Sequence, residues 1–95
     1  MPLTQEQIQP YLPQVPGWEV VANEKKIKKE FLFKDFREAM AFVNRVAELA
    51  ESEEHHPDIV ISYNRVTLEL STHAAGGLTE NDFILAAKIN QMLGG

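Results

Sequence analysis

Histidine is the residue type with the clearest chemical potential in this sequence, because all three copies fall between positions 55 and 73. His55 and His56 are adjacent and precede Pro57, whereas His73 comes at the end of a second apolar segment. Imidazole is the side chain that most readily changes its charge near neutral pH, and it is also a common metal ligand. The cluster therefore indicates proton transfer or metal binding, against the plainer interpretation of an exposed loop.

Carboxylates lie close to the histidines in the sequence. Glu51 and Glu54 precede His55, and Asp82 comes after His73. A carboxylate beside an imidazole orients the ring and stabilises its protonated form, so these residues are candidate acids, bases or orienting groups. Each also has a plainer interpretation: the glutamates would end a solvated helix, and Asp82 would sit in the first turn of the last helix as part of a capping box.

Metal and nucleophile chemistry are alternatives to proton transfer. Three imidazoles and a carboxylate could form a tetrahedral shell. However, adjacent histidines diverge, and the histidine spacing of a metalloprotease helix is absent. The sequence has no cysteine, no strained nucleophile turn and no glycine-rich phosphate loop. We therefore predict no metal site and favour acid-base chemistry.

Hydrophobic periodicity predicts the elements that must position these residues. The pattern is helix, two strands, helix, two strands, helix. Asp35 and Glu38 form a predicted capping pair for the long middle helix, and Asn23-Glu24 is a predicted turn. The predicted ranges are 5–12, 18–22, 25–33, 35–53, 58–63 and 65–72, with the last helix beginning after Thr79.

The second pair of strands brings the histidines together. In an antiparallel hairpin, the start of the first strand lies beside the end of the second. His73 is therefore expected near His55, His56 and Pro57. If the second strand stays regular, alternation also turns His73 away from the apolar layer.

Two hairpins joined by a long helix predict an α+β domain. We expect one four-stranded antiparallel sheet with three helices on one face, in the order α-β-β-α-β-β-α. Tyr63 is a predicted core residue, and Trp18 is a predicted core or interface residue, with a ligand platform as the alternative. The long helix should present one apolar stripe, and the last helix another; the proposed stripes are Phe36, Ala39, Met40, Val43, Val46, Ala47 and Ala50, and Phe83, Ala86, Ala87, Ile89, Asn90 and Leu93.

Bulk properties narrow the function classes. The chain has 95 residues, 44 % hydrophobic content and a formal net charge of −5, which predict one small domain without the basic surface of a nucleic-acid binder. No membrane-spanning or secretory segment is predicted, and the absence of cysteine fits a cytoplasmic location. One basic cluster is interpreted as a solvated strand or a lysine-protected edge strand, with a phosphate-binding patch as the alternative; it comprises Lys25, Lys26, Lys28 and Lys29.

The sequence resembles the pterin-4a-carbinolamine dehydratase family, also known as the dimerisation cofactor of a hepatocyte homeodomain transcription factor. The resemblance covers about half of the chain with close spacing and extends to nearly its full length, which implies a single domain over residues 1–95. It rests on four closely spaced motifs: Glu51-x-x-x-His55-His56-Pro57, Tyr63-Asn64, Leu70-Ser71-Thr72-His73, and Gly77-Leu78-Thr79 with Asp82. Pro16-Gly17-Trp18 extends it towards the N-terminus.

The resemblance implies a hydro-lyase that removes water from 4a-hydroxytetrahydropterin to give quinonoid dihydropterin. It implies no metal and no cofactor, a pterin substrate, and a homodimer or homotetramer in which the last helix often builds a tetrameric bundle. Such an enzyme recycles the pterin, tetrahydrobiopterin, of aromatic amino acid hydroxylases. The alternative function is a non-catalytic oligomeric module that assists dimerisation of a transcription factor.

Roles for individual residues are implied by the same resemblance. His55, His56 and His73 would line the site. We expect His56 and His73 to form the acid-base pair and His55 to bind and orient the pterin, although the assignment could be reversed. Asp82 would orient His73. The remaining expected substrate contacts are Glu51, Glu54, Pro57, Thr72, Ala74 and Ala75.

Overall fold

The element order of the structure, a computed structural model, matches the predicted one. Residues 1–23 and 25–94 are described, so the predicted turn at Asn23-Glu24 lies partly outside them. Within these residues, no helix is long and apolar enough to cross a bilayer. The elements are α1 (Gln5–Ile8), a 3-10 helix (Gln9–Gln14), β1 (Glu19–Val21), β2 (Lys26–Leu32), α2 (Phe36–Glu53), β3 (Asp58–Ser62), β4 (Arg65–Leu70), a 3-10 turn (His73–Ala75) and α3 (Glu80–Gly94).

The four strands form one antiparallel sheet in the order β1-β2-β4-β3. Alternation places Val66, Leu68 and Leu70 of β4 in the core, and all three are fully buried. The α+β fold with a single four-stranded sheet is therefore confirmed. The suggestion that lysines protect an edge strand is wrong, because β2 lies between β1 and β4 and the edges are β1 and β3.

The core lies between the sheet and the helices. Trp18 is buried as predicted, and its Nε1 donates to Asn90 Oδ1 of α3 at 3.0 Å. Lys29 of β2 points towards the same helix and donates to Asn90 Oδ1 at 2.9 Å and to the Pro16 carbonyl at 3.1 Å. Burial lowers the pKa of the Lys29 ammonium. One asparagine thus links the N-terminal turn, the sheet and the last helix.

Four predicted core positions are exposed instead. Tyr63 is 65 % exposed because it lies in the turn after the edge strand β3, with a left-handed φ of 52°. Phe36 opens α2 and Leu93 lies near the end of α3, and both are about half exposed because helix ends reach beyond the sheet. Ala47 lies on the solvent side of α2, whose buried stripe instead includes Phe42. Periodicity alone therefore overestimates burial at the margins of a helix face.

Candidate active site

The C-terminus of α2 positions the histidine pair. Glu54 has a left-handed backbone with φ 52°, and its N–H donates to the carbonyls of Ala50 and Glu51. The His55 N–H also donates to the Ala50 carbonyl, at 3.1 Å. This hydrogen-bonded cap ends the helix and turns the chain towards β3, so His55 and His56 are held between the two elements.

At the other end of α2, Asp35 caps the helix as predicted, but the reciprocal bond from Glu38 to the N-cap N–H does not form. Asp35 Oδ1 accepts a hydrogen bond from the Glu38 N–H at 3.0 Å, and Glu38 Oε1 accepts from the Lys34 N–H at 2.9 Å. The first bond satisfies a backbone donor that the helix itself leaves unpaired, whereas the second holds Lys34, the residue before the N-cap. The long helix that precedes the histidine pair therefore has hydrogen-bonded caps at both of its ends.

The two adjacent rings point to different helices. His55 Nε2 lies 2.5 Å from Asp82 Oδ1 on α3, and its side chain is 15 % exposed. His56 Nε2 instead contacts Glu51 Oε2 on α2, and both of these side chains are largely exposed. Adjacent residues in extended backbone alternate their directions, which explains the divergence. One histidine is therefore fixed from the interior and the other remains close to solvent.

Asp82 is a fully buried carboxylate with both side-chain oxygens engaged. Its Oδ1 bonds to His55, and its Oδ2 accepts from Thr72 Oγ1 at 2.9 Å and from the Thr79 N–H at 3.0 Å. The hydroxyls of Thr72 and Thr79 lie 2.8 Å apart. Ionised carboxylates are rarely buried without such partners, because desolvation of the charge is costly. The network therefore fixes Asp82 as a rigid support for His55.

The expected pairing of Asp82 with His73 is not what the structure shows: Asp82 contacts His55. The difference arises because β4 ends at Leu70 and the chain folds into a 3-10 turn at His73, so strand alternation does not extend that far. Thr72, not His73, directs its side chain at Asp82. His73 is exposed, and within the described residues no hydrogen bond or ion pair engages its ring.

A short, closed loop carries His73. The N–H of Thr72 donates to the Gly77 carbonyl at 2.8 Å, and the two residues form an isolated β-bridge. Gly76 has φ +78°, a left-handed conformation that glycine adopts without strain. The bridge holds Thr72, the residue before His73, and the Thr72 hydroxyl contacts the same Asp82 carboxylate that bonds to His55. The predicted hairpin of β3 and β4 is present, with Asp58 opposite Glu69.

A cavity of about 200 Å³ lies beside this loop, lined by Lys25, Lys26, Ser71, Thr72, His73, Gly76 and Gly77. A larger cavity of about 560 Å³ lies between the N-terminal helices and β1, and no histidine lines it. His73 lines the smaller cavity, whereas His55 and His56 do not line it. We place the candidate site beside this cavity because Thr72, which also lines it, bonds to the Asp82 carboxylate that holds His55.

The other expected contact residues differ in their exposure. Pro57 and Ala75 are half-buried, whereas Glu54 and Ala74 are exposed. The neighbouring Glu53 is paired with Lys88 at 2.8 Å. Across the described residues, no group of three or more histidine and carboxylate side chains could hold a metal ion.

The hydroxyl of Thr79 was not singled out as a site residue from the sequence. The Thr79-x-x-Asp82 spacing predicted a capping box, and one half of that box forms, since Asp82 Oδ2 accepts from the Thr79 N–H. The Thr79 hydroxyl bonds to Thr72 instead. The sequence signal was therefore present, but only the fold shows that the box also faces the histidines.

Comparison with known proteins defines the class to which this fold and site belong. The family model described as "Pterin 4 alpha carbinolamine dehydratase" matches residues 1–92. The chain therefore belongs to the pterin-4a-carbinolamine dehydratase family, as the sequence motifs indicated.

Individual relatives are similar along most of their length. Two are named "Putative pterin-4-alpha-carbinolamine dehydratase". The relative from Nitrosospira multiformis is 50 % identical over 91 residues, covering 96 % of this chain and 79 % of its own. The relative from a Picosynechococcus species is 53 % identical over 90 residues, covering 95 % and 96 % respectively.

Two solved structures share the fold. A transcriptional coactivator/pterin dehydratase from Brucella melitensis is 37 % identical with a TM-score of 0.92, covering 99 % of this chain and 100 % of its own. A pterin dehydratase-like protein identified as a RuBisCO assembly factor in the alpha-carboxysome is 22 % identical with a TM-score of 0.72, covering 86 % and 95 %. The second similarity concerns the fold alone.

Proposed function

We propose that this protein eliminates water from 4a-hydroxytetrahydropterin to give quinonoid dihydropterin. The observation that carries the proposal is the buried Asp82 carboxylate, which holds His55 at a site next to His56 and the His73 loop. A buried carboxylate is costly to maintain, so its use to orient an imidazole supports a chemical role. Membership of the dehydratase family supports the same reaction.

The elimination requires two proton transfers. The 4a-hydroxyl gains a proton and departs as water as its carbon–oxygen bond breaks. A ring nitrogen loses a proton, and the electron pair of that nitrogen–hydrogen bond completes the new carbon–nitrogen double bond. A general acid and a general base at different edges of the pterin serve this reaction, and imidazoles suit both tasks near neutral pH.

His56 and His73 are the proposed acid-base pair. Both side chains are exposed, so each can exchange protons with solvent between turnovers. His55 is held by Asp82 and is suited to bind and orient the pterin. Fixed groups position a substrate effectively because they lose little conformational entropy on binding.

The proposed pocket wall combines polar and apolar groups. Glu51 and Glu54 would contact polar edges of the pterin, and Pro57 would contact its ring. The backbone of Thr72, Ala74 and Ala75 would complete the wall. The preferred substrate in this proposal is 4a-hydroxytetrahydrobiopterin, which would make the protein part of pterin recycling for aromatic amino acid hydroxylases.

His73→Ala provides the direct test. We expect turnover to fall roughly 10²-fold or more, because a general acid or base typically contributes that much. Ultraviolet absorbance can monitor loss of the carbinolamine. Ser62→Ala, at the far end of the same hairpin, is the matched control and should retain wild-type turnover. Unchanged turnover in His73→Ala would reject a proton-transfer role for His73.

A non-catalytic binding module is the second candidate. The solved relative from Brucella melitensis is described as a transcriptional coactivator as well as a pterin dehydratase, which favours this alternative. The two functions can coexist on one chain. A wild-type protein that leaves the carbinolamine unchanged in the absorbance assay would favour the binding module over the enzyme.

We also propose that the chain forms a homodimer or homotetramer. Apolar side chains are exposed on the edge strand β3 at Val60 and Ile61, and on α3 at Ile84 and Leu93. Exposed apolar side chains on an edge strand and on the last helix are available to a subunit interface. Sedimentation of the purified protein would measure the state, and a monomer at every concentration tested would contradict the proposal.

A further inference from the structure

Counting hydroxyl protons fixes the direction of the network behind His55. The Thr72 hydroxyl has one proton, and it donates that proton to Asp82 Oδ2 at 2.9 Å. The 2.8 Å contact between the two threonine hydroxyls must then use the proton of Thr79, with Thr72 Oγ1 as the acceptor. The chain of donors therefore runs from Thr79 to Thr72 to Asp82.

The same count determines which nitrogen of His55 carries a proton. Asp82 Oδ2 already accepts from two donors, the Thr72 hydroxyl and the Thr79 N–H. When the carboxylate is ionised it can only accept hydrogen bonds, and the contact of Oδ1 with His55 is then made by a proton on Nε2. In the neutral ring, the lone pair then resides on Nδ1.

We propose that Thr72 and Thr79 are positioning residues that hold Asp82 in its acceptor form and orientation, and thereby fix the Nε2–H tautomer of His55. The catalytic consequence rests on the proposed dehydratase function, but the tautomer is a property of the resting protein. His55 would present Nδ1 as an acceptor to the pterin, with its ring unable to flip without breaking the bond to Asp82.

Helix capping alone does not account for this arrangement. The cap of α3 needs only the hydrogen bond from the backbone N–H of Thr79 to Asp82 Oδ2. The hydroxyls of the two threonines take no part in that bond. Thr72 lies outside α3, yet its hydroxyl joins the same carboxylate. In metal sites, mutation of the groups that orient a ligating imidazole typically lowers metal affinity or activity roughly 10- to 100-fold. We expect an effect of the same size here.

The tautomer can be measured without any activity. We would record nitrogen-15 spectra of histidine-labelled protein about two pH units above the ordinary imidazole pKa of ~6.5. The wild type should show a protonated Nε2 and an unprotonated Nδ1 for His55. Thr72→Val should give a mixture of tautomers, because it removes a donor from Asp82 without changing side-chain shape. Thr72→Ser should retain the wild-type signals.

Thr79→Val is the second variant and tests the end of the chain of donors. It leaves all three partners of Asp82 in place but removes the donor to Thr72. We expect a smaller change in the His55 signals, which Thr79→Ser should restore. Thr67→Val, on the open face of β4, is the matched control and should match the wild type. If Thr72→Val fails to fold, Thr79→Val and the two serine variants still decide the question.

Turnover provides the catalytic readout. Thr72→Val should lower kcat roughly 10- to 100-fold with little change in KM, and Thr79→Val should lower it less. Wild-type His55 signals in both valine variants, or a wild-type ring protonated on Nδ1, would overturn the network. A network that behaves as expected in a protein without dehydratase activity would overturn the proposed function but leave the positioning role intact.

Discussion

Asp82 combines the strongest structural constraint with the most direct contact to a candidate catalytic group. Its side chain is fully buried and bonds to His55, Thr72 and Thr79. Removal of one member of a buried hydrogen-bonded set leaves the others unsatisfied, and that penalty usually exceeds the net value of the bond. Stability and function are therefore coupled at this residue.

Asp82→Asn tests that coupling. An amide retains the shape but replaces one acceptor oxygen with a donor, which must then face either the His55 ring or the Thr79 N–H. We expect a loss of about 1–3 kcal/mol in the free energy of unfolding and a fall in kcat of roughly 10- to 100-fold. Urea unfolding and the absorbance assay would measure them. Asp58→Asn, an exposed neighbour in the same hairpin, should change neither appreciably.

Glu51→Gln should separate binding from stability. The pair between Glu51 and His56 is largely exposed, and exposed ion pairs contribute little to folding. We expect the free energy of unfolding to change by no more than about 0.5 kcal/mol. If Glu51 contacts the pterin, KM should rise in the same variant. Wild-type KM and kcat together would remove Glu51 from the proposed pocket wall.

At the scale of elements, the loop between β4 and α3 decides where His73 lies. Its bridge between Thr72 and Gly77 is supplemented by the N-terminal segment, whose Leu3 N–H donates to the Leu78 carbonyl at 2.7 Å. A Cβ added at Gly77 would approach Pro2 Cβ to 2.9 Å. The first residues of the chain therefore pack against the loop that carries a candidate catalytic histidine.

Gly76→Ala and Gly77→Ala test two different constraints on this loop, the backbone conformation and the space for a side chain. Gly76 has a positive φ but open space around its Cα, so Gly76→Ala should cost about 1–2 kcal/mol through backbone strain alone. Gly77→Ala should act through the contact with Pro2 Cβ, and removal of that atom by Pro2→Gly should partly restore stability. Thermal unfolding of the single and double variants would measure both effects. If Gly77→Ala lowered thermal stability equally in the wild type and in the Pro2→Gly variant, the steric explanation would be contradicted.

At the scale of the whole molecule, Asn90 joins parts of the chain that are far apart in sequence. Its Oδ1 accepts from Trp18 Nε1 and Lys29 Nζ, and its Nδ2 donates to the Pro16 carbonyl at 3.1 Å. The sheet, the N-terminal turn and α3 therefore share one polar contact inside an otherwise apolar layer. Such a contact specifies how the layers align as well as contributing to stability.

Asn90→Ala should consequently destabilise the fold without altering the histidine site. Loss of the acceptor leaves the Trp18 and Lys29 donors without their partner, at a cost of about 1–3 kcal/mol. Urea unfolding would measure this change, with Gln91→Ala on the exposed side of α3 as the control. Stability equal to that of the control would show that the contact contributes nothing measurable.

The sequence by itself determined the order of elements, the α+β class and the family. Alternation and helical periodicity report burial directly, so β4 and most of α2 were predictable from residue types. The clustering of His55, His56 and His73 also indicated the candidate site, because in a hairpin the start of the first strand lies beside the end of the second.

Only the tertiary structure decided which groups contact each other within that site. Asp82 bonds to His55 and not to His73, because β4 ends two residues before Thr72 and the 3-10 turn then changes the direction of the chain. Tyr63 is exposed because β3 lies at the edge of the sheet, which sequence periodicity does not reveal. Periodicity describes the faces of single elements, whereas side-chain partners depend on how those elements pack against each other.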